Sequence, residues 1–323
     1  MKKWTCESGI LYCADCVVVM DYLLKKGIFV DLIITSPPYD NLRSYNGYEL
    51  DFSKIAIKLS EIIKPGGVII WVVSDQTTNG SESGTSFRQA LFFKDKCKLN
   101  LHDTMIYKKM GIRYTEKVRY SQQFEYMFVF SKGKPSYFKP IKDVRRTARF
   151  SERPRSNRQR DGTIVRNKIS YDDGTIVRNK ISYDTGEISS THRNRTNIWE
   201  ILENTFGVKY HPATFPTELA KDHILSWCPE GALVFDPFMG SGTTAICAEK
   251  LDRFWLGCDV SSNYCEEAVK RIKAAEEGFG LHRRATLNKE VRSKLGLWTG
   301  GNLDSRILQK ISSKNIQTSA RTT

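Results

Sequence analysis

Two short segments of the 323-residue chain combine residue types that could do chemistry together. The first is Thr35-Ser36-Pro37-Pro38-Tyr39-Asp40, directly after a run of apolar residues. Two prolines fix the backbone and remove two N–H donors, leaving carbonyl oxygens free to accept. With the Ser36 hydroxyl, this loop can turn two acceptors toward one amino group, and Tyr39 adds an aromatic face on which a planar base could stack. Taken alone, the same letters also describe a proline-rich turn closing a strand. The second segment runs Leu233-Val234-Phe235-Asp236-Pro237-Phe238-Met239-Gly240-Ser241-Gly242-Thr243-Thr244. A buried strand leads into an acidic residue, then a glycine turn, then a helix. Glycines permit close backbone approach to a ligand, and free N–H groups at a helix start favour an anionic group. Asp259 follows Asp236 by 23 residues at the end of the next strand, where a carboxylate can accept both hydroxyls of a ribose. Together these describe a site for a nucleoside-containing cofactor. The chain has neither the full G-x-G-x-x-G fingerprint at this loop nor any G-x-x-x-x-G-K-[ST] segment, which counts against dinucleotides and ATP.

The elements that must position these loops alternate between strand and helix. Residues 30–35 form a continuous apolar run ended by Ser-Pro-Pro, as expected of a buried parallel strand. Phe52, Ile55, Leu59, Ile62 and Ile63 recur at helical spacing, and Pro65-Gly66-Gly67 predicts a turn into a second strand over 68–73. A further strand is expected over 126–131. In the second half the pattern predicts a helix over 219–227, a strand over 232–235, a helix over 243–251, a strand over 254–258 and a helix over 261–275. The class is α/β. No apolar run approaches the ~20 residues of a membrane span, and the first residues lack the apolar stretch of a secretory signal, so a soluble cytoplasmic protein is expected. The eight cysteines lie mostly in apolar segments and read as reduced core thiols; Cys13 and Cys16 have no second pair at metal-ligand spacing, so no metal site is expected.

The net charge of +14 points to a polyanionic partner. It is concentrated: residues 131–200 hold 17 Lys and Arg against 8 Asp and Glu, a net +9. Arg145, Arg146, Arg149, Arg153, Arg155, Arg158 and Arg160 are candidate DNA contacts, with a solvated basic face as the plainer reading. The same stretch contains DGTIVRNKISYD twice in tandem, at 161–172 and 173–184. Two copies are too few for a solenoid. They are either a duplication in a surface loop that tolerates length change or a doubled DNA-contacting hairpin. From about Phe279 onward the chain is polar and weakly periodic, and reads as a basic tail.

TSPPY after a hydrophobic strand, with DPFMGSGTTA some two hundred residues later, resembles the amino-methylating DNA methyltransferases that use S-adenosylmethionine. The order, catalytic motif first and glycine loop last, is similar to the circularly permuted β group. That resemblance implies a doubly wound, mostly parallel seven-stranded sheet with an inserted target-recognition region. The corresponding division is a catalytic half over 1–134, a basic recognition insert over 135–204, a cofactor-binding half over 205–278 and a tail over 279–323. Ser36, Pro37, Pro38 and Tyr39 correspond to the catalytic motif. His211-Pro-Ala-Thr-Phe215 resembles the segment closing over the methionine end of the cofactor, and Asp15 the acidic residue near its adenine. The cofactor set implied is therefore Asp15, Thr35, His211, Phe215, Asp236, Pro237, Phe238, Gly240, Gly242, Thr243 and Asp259. Trp199 reads as a packing anchor where the chain re-enters the α/β domain.

A cytosine-C5 enzyme needs a thiolate nucleophile, placed in that family on Pro-Cys, and none of the ten prolines here precedes a cysteine. Direct transfer to an exocyclic amino nitrogen of a flipped base in double-stranded DNA is the expectation. Serine at the first motif position favours cytosine N4, with adenine N6 as the alternative. A restriction-modification system with a cognate endonuclease, or an orphan methylase, is the expected setting, as monomer or homodimer. A non-catalytic DNA-binding protein on the same scaffold and an RNA or protein methyltransferase are the rivals from other classes. The division of labour predicts that Tyr39→Ala keeps cofactor binding and loses most turnover, whereas Asp236→Ala loses cofactor binding; a binding titration beside a methyl-transfer assay separates the two.

Overall fold

The computed structural model describes residues 1–38, 50–110, 118–145, 156–158, 163–166, 171–172, 175–176, 192–202, 216–278 and 295. The chain divides into two compact units, one formed by Met1–Lys139 with Asn197–Thr323 and the other by Pro140–Thr196.

In the first unit, β1 (Lys2–Thr5), β2 (Gly9–Cys13), α1 (Cys16–Lys25), β3 (Val30–Thr35), α2 (Phe52–Ile62), β4 (Ile63–Val73), α3 (Thr85–Asp95), β5 (Asn100–Met110) and β6 (Phe124–Ser131) precede the second unit. After it come β7 (Ile198–Leu202), α4 (Thr217–Trp227), β8 (Leu233–Asp236), α5 (Thr243–Lys250), β9 (Phe254–Asp259) and α6 (Ser262–Gly278). All nine strands join one sheet in the order β1-β2-β9-β8-β3-β4-β6-β5-β7. The five strands from β2 to β4 run parallel. β6 is antiparallel to both its neighbours, and β7 lies parallel to β5.

Nine strands replace the seven expected. The additions are the edge strands β1, antiparallel to β2, and β7. Their sequences, KKWT and IWEIL, are short and only partly buried, so neither presents the apolar run that marks a central strand. β7 also moves residues 198–202 out of the expected insert and into the main sheet. Trp199 is buried there, its ring 4.5 Å from that of His223 in a stacked arrangement. The central strands behave as their composition demands. Leu32, Ile33, Ile34 and all of residues 68–73 are buried, because helices cover both faces of a parallel sheet and no position can alternate toward water.

Pro65-Gly66-Gly67 is not the turn expected. β4 begins at Ile63, directly at the end of α2, and its pairing with β3 jumps from Val30↔Ile63 to Leu32↔Val68. The extra residues bulge out of the ladder, but the backbone of Gly66 finds other partners. Gly66 N–H donates to Lys132 O at 2.7 Å, and Gly66 O accepts from Ser136 N–H at 2.9 Å. With those bonds made, the strand continues through the bulge.

In the second unit, Ser156–Arg158 pairs antiparallel with Ile164–Arg166, Tyr171–Asp172 with Thr175–Ile176, and His192–Arg193 with Val144–Arg145. Tyr171–Asp172 closes the first repeat copy and Thr175–Ile176 opens the second, so one pairing spans the junction. The Arg195 guanidinium holds the Asp143 carboxylate, with Nε at 2.8 Å. Leu295, the one described residue beyond Gly278, is buried in the core of the first unit.

Gly9 shows how tightly β2 and β9 meet. A Cβ there would stand 2.4 Å from the Trp255 carbonyl oxygen and 2.2 Å from its ring. The backbone oxygen cannot yield as a flexible side chain would. Gly9→Ala is expected to destabilise the fold by about 2–3 kcal/mol, read as a lowered midpoint in chemical denaturation.

Candidate active site

β3 and β8 are adjacent and parallel, with Leu32 opposite Val234 and Ile33 opposite Phe235. Loops leaving their carboxyl ends therefore emerge side by side, although Ser36 and Gly240 are 204 residues apart in sequence. Such an edge is where open α/β sheets bind ligands. One hydrogen-bonded bracket locks the two ends together. Thr35 Oγ1 donates to Asp236 Oδ1 at 2.7 Å, and Thr244 Oγ1, from the first turn of α5, donates to Asp236 Oδ2 at 2.7 Å. Phe238 N–H adds a 3.0 Å bond to Oδ1. The carboxylate thus joins β3, β8 and α5. Asp236 is only 1% exposed, and burial pushes its pKa up to about 6, even though all three hydrogen bonds oppose the rise.

Two further side chains, Asp259 and Arg271, fix the glycine loop. Gly240 and Gly242 both have positive φ, 50° and 83°, a conformation that glycine adopts without the Cβ clash of other residues. Gly240 N–H donates to Asp259 Oδ2 at 3.0 Å, while Asp259 Oδ1 accepts from Ser261 N–H at 2.9 Å. Arg271 of α6 donates to the Ser241 carbonyl. Burial raises the Asp259 pKa against those N–H bonds, but the residue remains partly exposed. Each of its oxygens keeps a further lone pair for a ligand hydroxyl. β9 lies beside β2, with Asp259 opposite Cys13, and Ala14 N–H donates to Asp259 O at 3.0 Å. This brings Asp15 next to the same edge, where its Oδ1 caps α1 through Val17 N–H at 2.8 Å and Val18 N–H at 3.4 Å.

The expected site residues therefore converge on the carboxyl ends of four neighbouring strands. Thr35, Ser36, Pro37 and Pro38 follow β3; Asp236, Pro237, Phe238, Gly240, Gly242 and Thr243 follow β8; Asp259 ends β9; and Asp15 follows β2. Ser36, Pro38 and Phe238 are partly exposed, whereas Thr35, Pro37 and Asp236 are buried. Tyr39, His211 and Phe215 lie outside the described residues. Of the seven arginines, Arg145 and Arg158 fall in strands of the second unit, and the other five lie outside the described residues. Thr244 and Arg271 act here without having been expected; a threonine eight residues past Asp236 and an arginine one helix away carry no sequence signal for these contacts. The partly exposed Asp259 carboxylate, the glycine turn and the partly exposed Phe238 ring fit a nucleoside-containing cofactor. Among the described residues, no cluster of three or more His, Cys, Asp or Glu could hold a metal ion, and no helix is long and apolar enough to cross a membrane.

Residues 30–270 match the family N6_N4_Mtase, DNA methylase. The chain is similar to the orphan methyltransferase M.BamHII of Bacillus amyloliquefaciens, 44% identical over 253 residues that make up 76% of this chain and 89% of that protein. It is also similar to the type II methyltransferase M.SmaI of Serratia marcescens, 24% identical over 292 residues. Among solved structures, the M1.HpyAVI–SAM complex superposes with a TM-score of 0.54 at 18% identity, covering 82% of this chain and 98% of that one. The PvuII DNA methyltransferase (cytosine-N4-specific) gives 0.54 at 18%, covering 90% and 92%. At those identities the two structures show a common fold.

The bracket makes a separable prediction for two substitutions. Asp236→Ala leaves two buried hydroxyls and an N–H without their acceptor, at roughly 1–3 kcal/mol each, and should lower the melting temperature markedly. Asp236→Asn retains an acceptor and removes the charge. Because the carboxyl pKa is higher in the folded chain than its ordinary 3.8, its stabilising contribution is fully present below about 3.8 and is lost as pH rises through about 6. That change amounts to on the order of 3 kcal/mol. Thermal denaturation from pH 4 to pH 7 should show the wild type losing stability relative to Asp236→Asn across this window, and a flat difference would refute the buried carboxylate.

Proposed function

The chain belongs to the N6_N4_Mtase family of DNA methylases, and on that premise we propose that it transfers a methyl group to the cytosine N4 of a base extruded from duplex DNA, with S-adenosylmethionine as cofactor. The observation that carries this reading is the Thr35–Asp236 hydrogen bond between adjacent strands, which sets the Ser-Pro-Pro loop and the glycine loop on one edge. Bound S-adenosylmethionine supplies the methyl group as an electrophilic sulfonium.

The protein's part is positioning and electrostatics. Asp259, held by Gly240 and Ser261, receives the ribose hydroxyls, and the Gly240–Gly242 turn admits the cofactor close to the backbone. The Ser36 hydroxyl and the Pro37 carbonyl accept the two amino protons of the base. Holding those protons draws the nitrogen out of conjugation with the ring and frees its lone pair to take the methyl group; the nitrogen then gives up one of the two protons to solvent, so no covalent enzyme intermediate is needed. Tyr39 stacks on the extruded base, and His211 and Phe215 close the cofactor site. An amino group paired inside a duplex is beyond reach of such a loop, which is why the base must leave the stack.

Cytosine N4 rests on serine at position 36, the residue that in this family accompanies N4 methylation, whereas Asp or Asn is more usual for adenine N6. The arginine-rich insert, with Arg145 and Arg158 in its strands and Arg146, Arg149, Arg153, Arg155 and Arg160 near them in sequence, supplies phosphate contacts and reads the target. The protein acts in the cytoplasm, either in a restriction-modification system with a cognate endonuclease or, like the relative M.BamHII, as an orphan methyltransferase. Nucleoside mass spectrometry of DNA from cells expressing the chain should show N4-methylcytosine; N6-methyladenine without it would overturn the choice of base.

A further inference from the structure

β4 runs parallel to β3, and β6 pairs with it in the opposite sense, with Val73 opposite Tyr126. The segment leaving β4 and the segment entering β6 therefore meet at the same edge as the Ser-Pro-Pro loop, one strand away. Three sets of bonds tie them into a platform. Gln122 Nε2 donates to Ser74 Oγ at 3.1 Å. Arg119 donates to Thr77 Oγ1 at 2.8 Å and to Gly80 O at 2.9 Å, gripping the small hairpin in which Thr77 pairs with Glu82 and Thr78 with Ser81. The return of that hairpin is held by Asp75, which is 5% exposed. Its Oδ1 accepts from Ser83 Oγ at 3.1 Å and from Ser86 N–H at 2.9 Å, and its Oδ2 accepts from the Ser86 hydroxyl. Asp75 thereby does for α3 what the capping residue Gly84, with no side chain, cannot.

The two side chains that flank Arg119 face outward. Arg119 turns back onto the hairpin, while its neighbours Val118 and Tyr120 are 88% and 100% exposed. Isolated exposed apolar residues are common. Here, however, bonds on both sides hold the backbone of a fully exposed aromatic at the edge where a base must be drawn from a duplex. Extruding that base costs a few kcal/mol of lost stacking, and an aromatic ring placed against the remaining bases can return about 1–3 kcal/mol.

We propose that Tyr120 is a DNA contact outside the basic insert, the ring that stacks in the gap left when the target base leaves the helix, with Val118 as its apolar neighbour. The inference rests on the amino-methylation of duplex DNA proposed above. Arg119 and Gln122 are positioning residues that hold the ring at the opening, in the manner of the apolar wedges with which other proteins part base steps.

The test uses the full-length protein, S-adenosylmethionine and two duplexes built on a methylated site mapped by single-molecule sequencing. One is fully paired; the other has an abasic position opposite the target, which lowers the cost of extrusion. Tyr120→Ala is expected to fold with the wild-type melting temperature and to bind cofactor normally. Its single-turnover methylation of the paired duplex should fall by about 10-fold or more, in keeping with the loss of one stacking contact. On the abasic duplex the deficit should largely disappear, and Tyr120→Phe should restore the paired rate. A wild-type rate on the paired duplex, or an equal deficit on both, would overturn the proposal. Failure of the wild-type protein to methylate either duplex would instead remove the reading on which it rests.

Discussion

A single carboxylate, buried to 1% exposure, holds together what the sequence keeps two hundred residues apart. Asp236 is the last residue of its strand, and its two oxygens take hydrogens from the strand before the Ser-Pro-Pro loop, from the helix behind the glycine loop and from the turn between them. Methyl transfer to nitrogen asks for little beyond distance and alignment, and a misplacement of an ångström is costly. A bracket of short bonds in a dry interior is stiff in the way that requirement demands. Its cost is a charge kept from water, visible in a carboxyl pushed up to about 6.

The second carboxylate shows the complementary solution. Asp259 also spends a hydrogen bond from each oxygen on the backbone, but it stays partly exposed. One acidic residue is a strut and the other a strut with a free face. The backbone N–H of Gly240 serves both purposes: it fixes the loop and orients the carboxylate that a ribose would meet. The same economy extends to Asp75, which caps a helix that has no capping side chain of its own and in doing so anchors the neighbouring loop.

Much of this was legible beforehand, because strand-ending motifs announce both the strand and the loop. Val30–Thr35 before Ser-Pro-Pro and Leu233–Asp236 before the glycine turn are continuous apolar runs, and such runs mean strands covered on both faces. What stayed hidden is of two kinds. Edge strands such as Lys2–Thr5, which is mostly exposed, and Ile198–Leu202, which alternates between exposed and buried, are short and charged, so their composition does not distinguish them from loops. The pairing of β8 with β3 and the contacts of Thr244 and Arg271 depend on which strands become neighbours, and periodicity along a chain carries no record of that. Pro65-Gly66-Gly67 misleads for a third reason: its turn chemistry is real, but hydrogen bonds from Lys132 and Ser136 absorb it as a bulge.

The strand order β2-β9-β8-β3 also has a meaning in time. The two strands that fill the middle of the sheet are made last, so a nascent chain that has finished β3 must wait for 224 more residues before Asp259 completes the sheet. At about 5–20 residues synthesised per second that interval is roughly 10–45 s. Throughout it, the facing edges of β2 and β3 remain open, and β3 is an apolar strand of the kind that pairs readily with other chains. The basic insert lies within this window, so every residue added to it, the duplicated twelve included, lengthens the time for which those two edges stay unpaired.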